Sequence, residues 1–100
     1  MIHPTVGRVL WYWPTPEDAA AGRAVNEGQP FAATVAFVHS PRMINLALVD
    51  HNGSPFGKTS VTLLQDGDVV RDKAGYAEWM PYQKGQAAKT AALEEAQAVT

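Results

Sequence analysis

Residues 31–64 read FAATVAFVHSPRMINLALVDHNGSPFGKTSVTLL, three short apolar runs separated by two turn signals. Ala32 to Val38 carries the small, β-branched and aromatic residues that suit a pleated, half-buried surface. Alternation puts Val35 and Phe37 on one face, assigned to the core, and Thr34, Ala36 and Val38 on the other. Pro41 fixes its own φ and pushes Ser40 towards extended geometry, so His39 to Arg42 is predicted to turn. Ile44 to Asp50 alternates again, with the bulkier Ile44, Leu46 and Leu48 facing inward. His51 to Pro55 contains the Asn52-Gly53 pair, whose cheap positive φ makes it the strongest hairpin signal in the chain. Lys58 to Leu64 follows as a third strand, with Val61 and Leu63 inward and Ser60 and Thr62 outward. The three runs predict an antiparallel meander.

Working outward, Val6 to Trp13 (VGRVLWYW) reads as a first strand, with Val9, Trp11 and Trp13 on one face and Arg8, Leu10 and Tyr12 on the other. Its aromatic rings form a wall of a small core, or one of them lies at the surface as a stacking platform. Thr15 is placed as a helix N-cap, with Pro16 at the first helical position and Glu17 and Asp18 in the first turn. Gly22 to Pro30 is polar and patternless, a long loop. Turns are predicted at Gln65–Asp68 and Asp72–Gly75. Gly75 to Pro81 is the last strand, with Trp79 inward. The alanine-rich end favours a helix by propensity, although its lysines precede its glutamates, against the helix dipole. The expected fold is mainly β: a small five-stranded antiparallel SH3-like barrel or curled sheet with a C-terminal helix. Residues 1–83 form the barrel and residues 84–100 a helical or partly disordered tail. An open five-stranded sheet with a helix packed on it is the alternative.

The totals exclude several function classes. One hundred residues make one modest domain. A net charge of −2 gives no electrostatic case for binding DNA or RNA. The absence of cysteine rules out disulfides, thiolate zinc sites and cysteine nucleophiles. No apolar stretch approaches the roughly 20 residues that span a bilayer, and no signal-peptide pattern is present. The expectation is a protein of the cytoplasm with no membrane partner.

Candidate chemistry is sparse. Gly53 to Thr59 (GSPFGKT) resembles a phosphate-binding loop, but it has three residues between its glycines where four are needed, and a strand is predicted after it instead of a helix. Lys58 and Thr59 are kept as candidate anion contacts. Asp50, His51 and Ser54 sit on one tight turn and cannot line up as a hydrolytic triad. His3, His39 and His51 have no metal-ligand spacing. Asp66 and Asp68 lack the remaining ligands of a calcium loop. No catalytic residue, metal or cofactor is expected. Arg42, at a hairpin tip, is the leading candidate for gripping an anion, because a guanidinium binds phosphate or carboxylate bidentately. Trp11 and Tyr82 are candidate stacking platforms, and Gln83 and Lys84 candidate polar contacts.

The segments VGRVLWYWP, VHSPRMINLALVDHNG…KTSVTLLQ and EWMPYQKGQAAK together resemble a group of small proteins encoded by tailed bacteriophages and prophages. The resemblance covers roughly Met1 to Lys89 and implies a phage accessory protein acting in the host bacterial cytoplasm. It transfers no functional residues. It implies a non-enzymatic binding protein in counter-defence that sequesters a small anionic, nucleotide-derived host immune signal and forms a homo-oligomer. The alternative is a protein–protein module that inhibits a host defence protein or serves in phage assembly.

Overall fold

A computed structural model describes residues 1–69 and 74–99, with Ala91 and residues 94–99 described by their backbone alone. Part of the expected Asp72–Gly75 turn therefore lies outside the described residues. Five strands, β1 (Val9–Tyr12), β2 (Phe31–Ser40), β3 (Met43–Val49), β4 (Pro55–Leu64) and β5 (Tyr76–Glu78), close into a barrel in chain order. A short helix α1 (Pro16–Ala20) follows β1, and a 19-residue helix α2 (Pro81–Val99) follows β5. The mainly β barrel with a C-terminal helix is thus as expected. Helix α2 begins before the expected boundary at 83/84.

The strand directions are not all antiparallel. β1–β2, β2–β3, β3–β4 and β1–β5 are antiparallel, but β4 and β5 run parallel, with Thr62 opposite Tyr76 and Leu64 opposite Glu78. Geometry demands this. Directions cannot alternate around a closed ring with an odd number of members, so a five-stranded barrel must contain a parallel pair. The parallel pair falls where the connection is longest among those flanking the meander and no tight hairpin forces reversal.

The core is Leu10, Tyr12, Phe31, Ala33, Val35, Ile44, Leu46, Leu48, Val61, Leu63, Ala77 and Trp79. Of the residues expected inside, Phe37 is the exception: it is 52% exposed. The pairing register slips between Val35 and Phe37, leaving Ala36 as an extra residue opposite β3. One extra residue reverses side-chain parity, so Phe37 points out and Val38 packs against the core. A second slip lies in β4, between the pairs Ile44–Val61 and Leu46–Lys58. There Ser60 takes φ +54° and donates its backbone N–H to Asn45 Oδ1 at 2.8 Å. This bulge keeps Val61 and Leu63 inside while also turning Lys58 and Phe56 towards the interior side.

The first strand is shorter than expected. Gly7 at φ +93° and the Arg8 N–H to Thr5 C=O bond make a turn, although Gly7 and Arg8 still exchange backbone bonds with Val35. Leu10 and Tyr12 face the core, while Trp11 and Trp13 lie outside, edge to face with centroids 6.5 Å apart. Thr15 caps α1 as expected, in a reciprocal box: its Oγ1 accepts from the Asp18 N–H and Asp18 Oδ2 accepts from the Thr15 N–H. The hairpin after β3 turns on Gly53 at φ +81°, held by Asp50 Oδ1, which accepts from the N–H groups of Asn52 and Ser54. The molecule measures 56 × 23 × 22 Å, its long axis lengthened by α2.

Candidate ligand-binding cleft

One end of the barrel gathers the β2–β3 turn, the ends of β4 and β5, the first residues of the chain and the start of α2. Gln65, just past β4, is buried and organises this end. Its Oε1 accepts from the Ile2 N–H at 3.2 Å, and its Nε2 donates to the carbonyls of Ile2 and Pro41 at 2.9 and 2.8 Å. The N-terminal segment and the hairpin tip are thereby clamped to the same side chain.

Beside Gln65 lies a cleft of about 250 Å³, lined by Met1, Ile2, Gln65, Asp66, Trp79, Lys84, Ala87 and Ala88. The last three sit on one face of α2 at helical spacing. Because two of them are alanine, the helix wall stays thin and the space remains open. Trp79 is only 2% exposed, and its indole N–H is buried with no hydrogen-bond partner. Leaving a buried donor unmet costs about 1–3 kcal/mol, and such a group in a native fold calls for an explanation. Lys84 Nζ stands 3.9 Å from Asp66 Oδ1, beyond hydrogen-bond length, and the Asp66 side chain is 86% exposed. The cleft therefore offers one fixed buried donor and one loosely held cation.

Helix α2 is fixed to the barrel at its first turn. Gln83 Oε1 accepts from the Met80 N–H at 2.8 Å, as a third helical residue does for its cap. Gln83 Nε2 donates to the Val9 carbonyl at 2.7 Å. β5 has ended at Glu78, so this amide continues the pairing along β1. Gln83, expected as a ligand contact, serves here as an anchor.

The other expected site residues are dispersed. Arg42 reaches the same end as the cleft, but its fork is filled: Nε and Nη2 donate to the two oxygens of Asp68 at 3.0 and 3.1 Å. Asp68 Oδ2 also accepts from the Gln65 N–H. The Arg42 guanidinium holds the Asp68 carboxyl below the usual carboxylate range. Tyr82 is 74% exposed on the first turn of α2. Trp11 lies on the outer face opposite Glu78, whose carboxylate accepts from the Trp13 indole N–H at 2.9 Å. The two aromatic clusters of the sequence thus meet on neighbouring strands. Lys58 and Thr59 lie on β4, with Thr59 exposed at the bulge. The candidate phosphate loop is strand from Pro55 onward.

Lys58 is committed elsewhere. Its Nζ is 2.6 Å from Asp18 Oδ1, and Asp18 Oδ2 accepts from the Tyr12 hydroxyl at 2.9 Å. Burial opposes the Asp18 charge, but Lys58, the Thr15 N–H and the Tyr12 hydroxyl outweigh it and hold the carboxyl below its ordinary value. Nothing local in the sequence announces this cluster, because Asp18 reads as an ordinary first-turn acid. Among the described residues no group of three or more His, Asp or Glu side chains is placed to hold a metal ion, and no helix is long and apolar enough to cross a membrane.

Comparison of the chain with protein-family models, with curated proteins and with solved structures finds no match in any of the three.

Proposed function

We propose that this protein is a non-enzymatic binding protein that holds a small anionic ligand in the cleft between α2 and the end of the barrel. The observation that carries the reading is the unpartnered indole N–H of Trp79 in the cleft wall. A ligand acceptor there recovers a donor that folding alone leaves unmet. Lys84 supplies the charge. The buried ionic cluster of Tyr12, Asp18 and Lys58 is internally satisfied, so it supports a structural role in preference to a catalytic one. The resemblance to phage accessory proteins favours a counter-defence role in the host bacterial cytoplasm, with a nucleotide-derived immune signal as the ligand. A thermal-shift screen against nucleoside phosphates, cyclic nucleotides and ADP-ribose tests the reading. A binder of the folded state raises the melting temperature by mass action, and no shift from any of them removes the nucleotide assignment.

A protein-binding module is the second reading. Phe37, packed edge to face on His39 with centroids 4.9 Å apart, and Met43 are exposed at the β2–β3 hairpin. A host protein retained by the wild type and lost with Phe37→Asp favours this reading over the first.

A further inference from the structure

Resting on the reading of the cleft as a binding site, we infer that its ligand is a flat heteroaromatic ring with an anionic tail, of the nucleoside monophosphate class. The ligand enters ring-first. A ring acceptor takes the Trp79 indole N–H, and the anionic tail draws Lys84 away from Asp66 at the mouth.

Three observations carry the orientation. The first is size. Pockets that enclose drug-sized ligands run to about 300–1,000 Å³, and this cleft holds about 250 Å³. It accommodates a single ring system and leaves the remainder of a nucleotide outside.

The second is the donor inventory. An amide offers two N–H donors, and both of those on Gln65 are used, on the carbonyls of Ile2 and Pro41. Asp66 only accepts. One buried N–H is left, on Trp79. A phosphate at that depth would have its charge buried against a single donor, which is far too little to offset its desolvation. A neutral ring nitrogen or carbonyl needs only one donor. The walls suit a ring as well, since Ile2, the Trp79 indole, Ala87 and Ala88 present apolar surface.

The third is the state of the two cations at this end. Arg42 is engaged by both oxygens of Asp68, and capturing it costs two charge-assisted hydrogen bonds. Lys84 has no hydrogen bond to lose to Asp66 at 3.9 Å, and Asp66 can swing into water. The anionic tail therefore selects Lys84. This reverses the ranking that the sequence suggests, in which a turn holds Arg42 more firmly than a tail holds Lys84, because Lys84 stands on an anchored helix.

The test is ¹⁵N NMR of the full chain, reading the three indole N–H resonances, with Trp11→Phe and Trp13→Phe used to assign that of Trp79. AMP, GMP, CMP and UMP are the probes, with adenosine and inorganic phosphate as controls. At least one nucleotide is expected to shift the Trp79 resonance. Lys84→Met should weaken that nucleotide about tenfold, the usual scale for a charge-assisted contact. The same change should leave the matching nucleoside unaffected, and Ala87→Trp, with its fold verified by circular dichroism, should abolish binding. A nucleotide that binds without moving the Trp79 resonance, or a shift reproduced by phosphate alone, overturns the ring-first orientation while leaving the binding function standing. A Trp79 resonance unmoved by every probe, with no affinity for any of them, overturns both.

Discussion

Lys58 and Asp18 face each other at 2.6 Å across the junction of β4 and α1, with the Tyr12 hydroxyl on the second carboxylate oxygen. Asp18→Ala would strand a half-buried ammonium and remove the α1 capping box together. A cost of about 3 kcal/mol is expected, the low end for breaking a buried pair, since the Lys58 side chain keeps 30% of its exposure. Urea denaturation of wild type and variant measures it, and a cost below about 1 kcal/mol would show that water already screens the pair.

The same cluster sets opposite pH limits. Asp18 has its pKa lowered on folding, so its contribution is complete above the ordinary carboxylate value of about 3.9 and is lost as pH falls through the lower folded value. Tyr12 is raised, by burial first and by the Asp18 carboxylate as well, against the opposing pull of Lys58. Lys58 is raised too, because Asp18 and Tyr12 overcome the effect of burial. Those two contributions are complete below about pH 10 and are lost as pH rises through the folded values. Melting temperature followed against pH should show a flatter acid limb for Asp18→Asn and a flatter alkaline limb for Tyr12→Phe.

Leu48 and Phe37 separate the two sides of the β2 bulge. Leu48→Ala should cost about 2–5 kcal/mol as a buried large-to-small change, since Leu48 is 2% exposed. Phe37→Ala should fall within about 0.5 kcal/mol of wild type, as exposed substitutions do. Equal costs would place Phe37 back in the core.

Ser60 is the one non-glycine residue with positive φ. Ser60→Val should destabilise the fold by about 1–3 kcal/mol despite the strand preference of valine, because a β-branched residue is strained there. A neutral or stabilising result would mean that β4 pairs without the bulge.

Oligomerisation, proposed from the exposed Tyr82 and Leu93 of α2, predicts a mass in light scattering above the 10.8 kDa of one chain at micromolar concentration. Tyr82→Glu combined with Leu93→Glu should return the protein to that mass. A wild type already at 10.8 kDa removes the proposal.

Much of this architecture was legible because it is local. Ile44, Leu46 and Leu48 alternate without interruption, Asn52-Gly53 marks its hairpin, and Thr15 to Asp18 spells out its own cap. Phe37 was misplaced because a bulge depends on what Asn45 does across the sheet, and alternation counted along one strand cannot register an extra residue. The candidate site was less legible still. Arg42 reads as free until Asp68 is brought beside it, and Trp79 reads as ordinary core until its N–H is found without a partner. Each of those facts depends on residues distant in sequence, and the Asp18–Lys58 pair does as well.

The odd strand count governs how the molecule is assembled. The β2–β3 and β3–β4 hairpins join residues close in sequence, whereas closing the ring requires Trp11 to find Glu78 across most of the chain. Loop-closure entropy makes such a contact late, so the meander is expected to form first and the seam between β1 and β5 to zip last. Trp79 and Lys84 follow directly on that final strand, and the cleft comes into being only when the ring is shut. A chain stopped after Leu64 would keep its hairpins but expose β1 and β4 as bare edges, and exposed edges recruit other strands. Such a fragment is expected to associate with itself and to bind nothing.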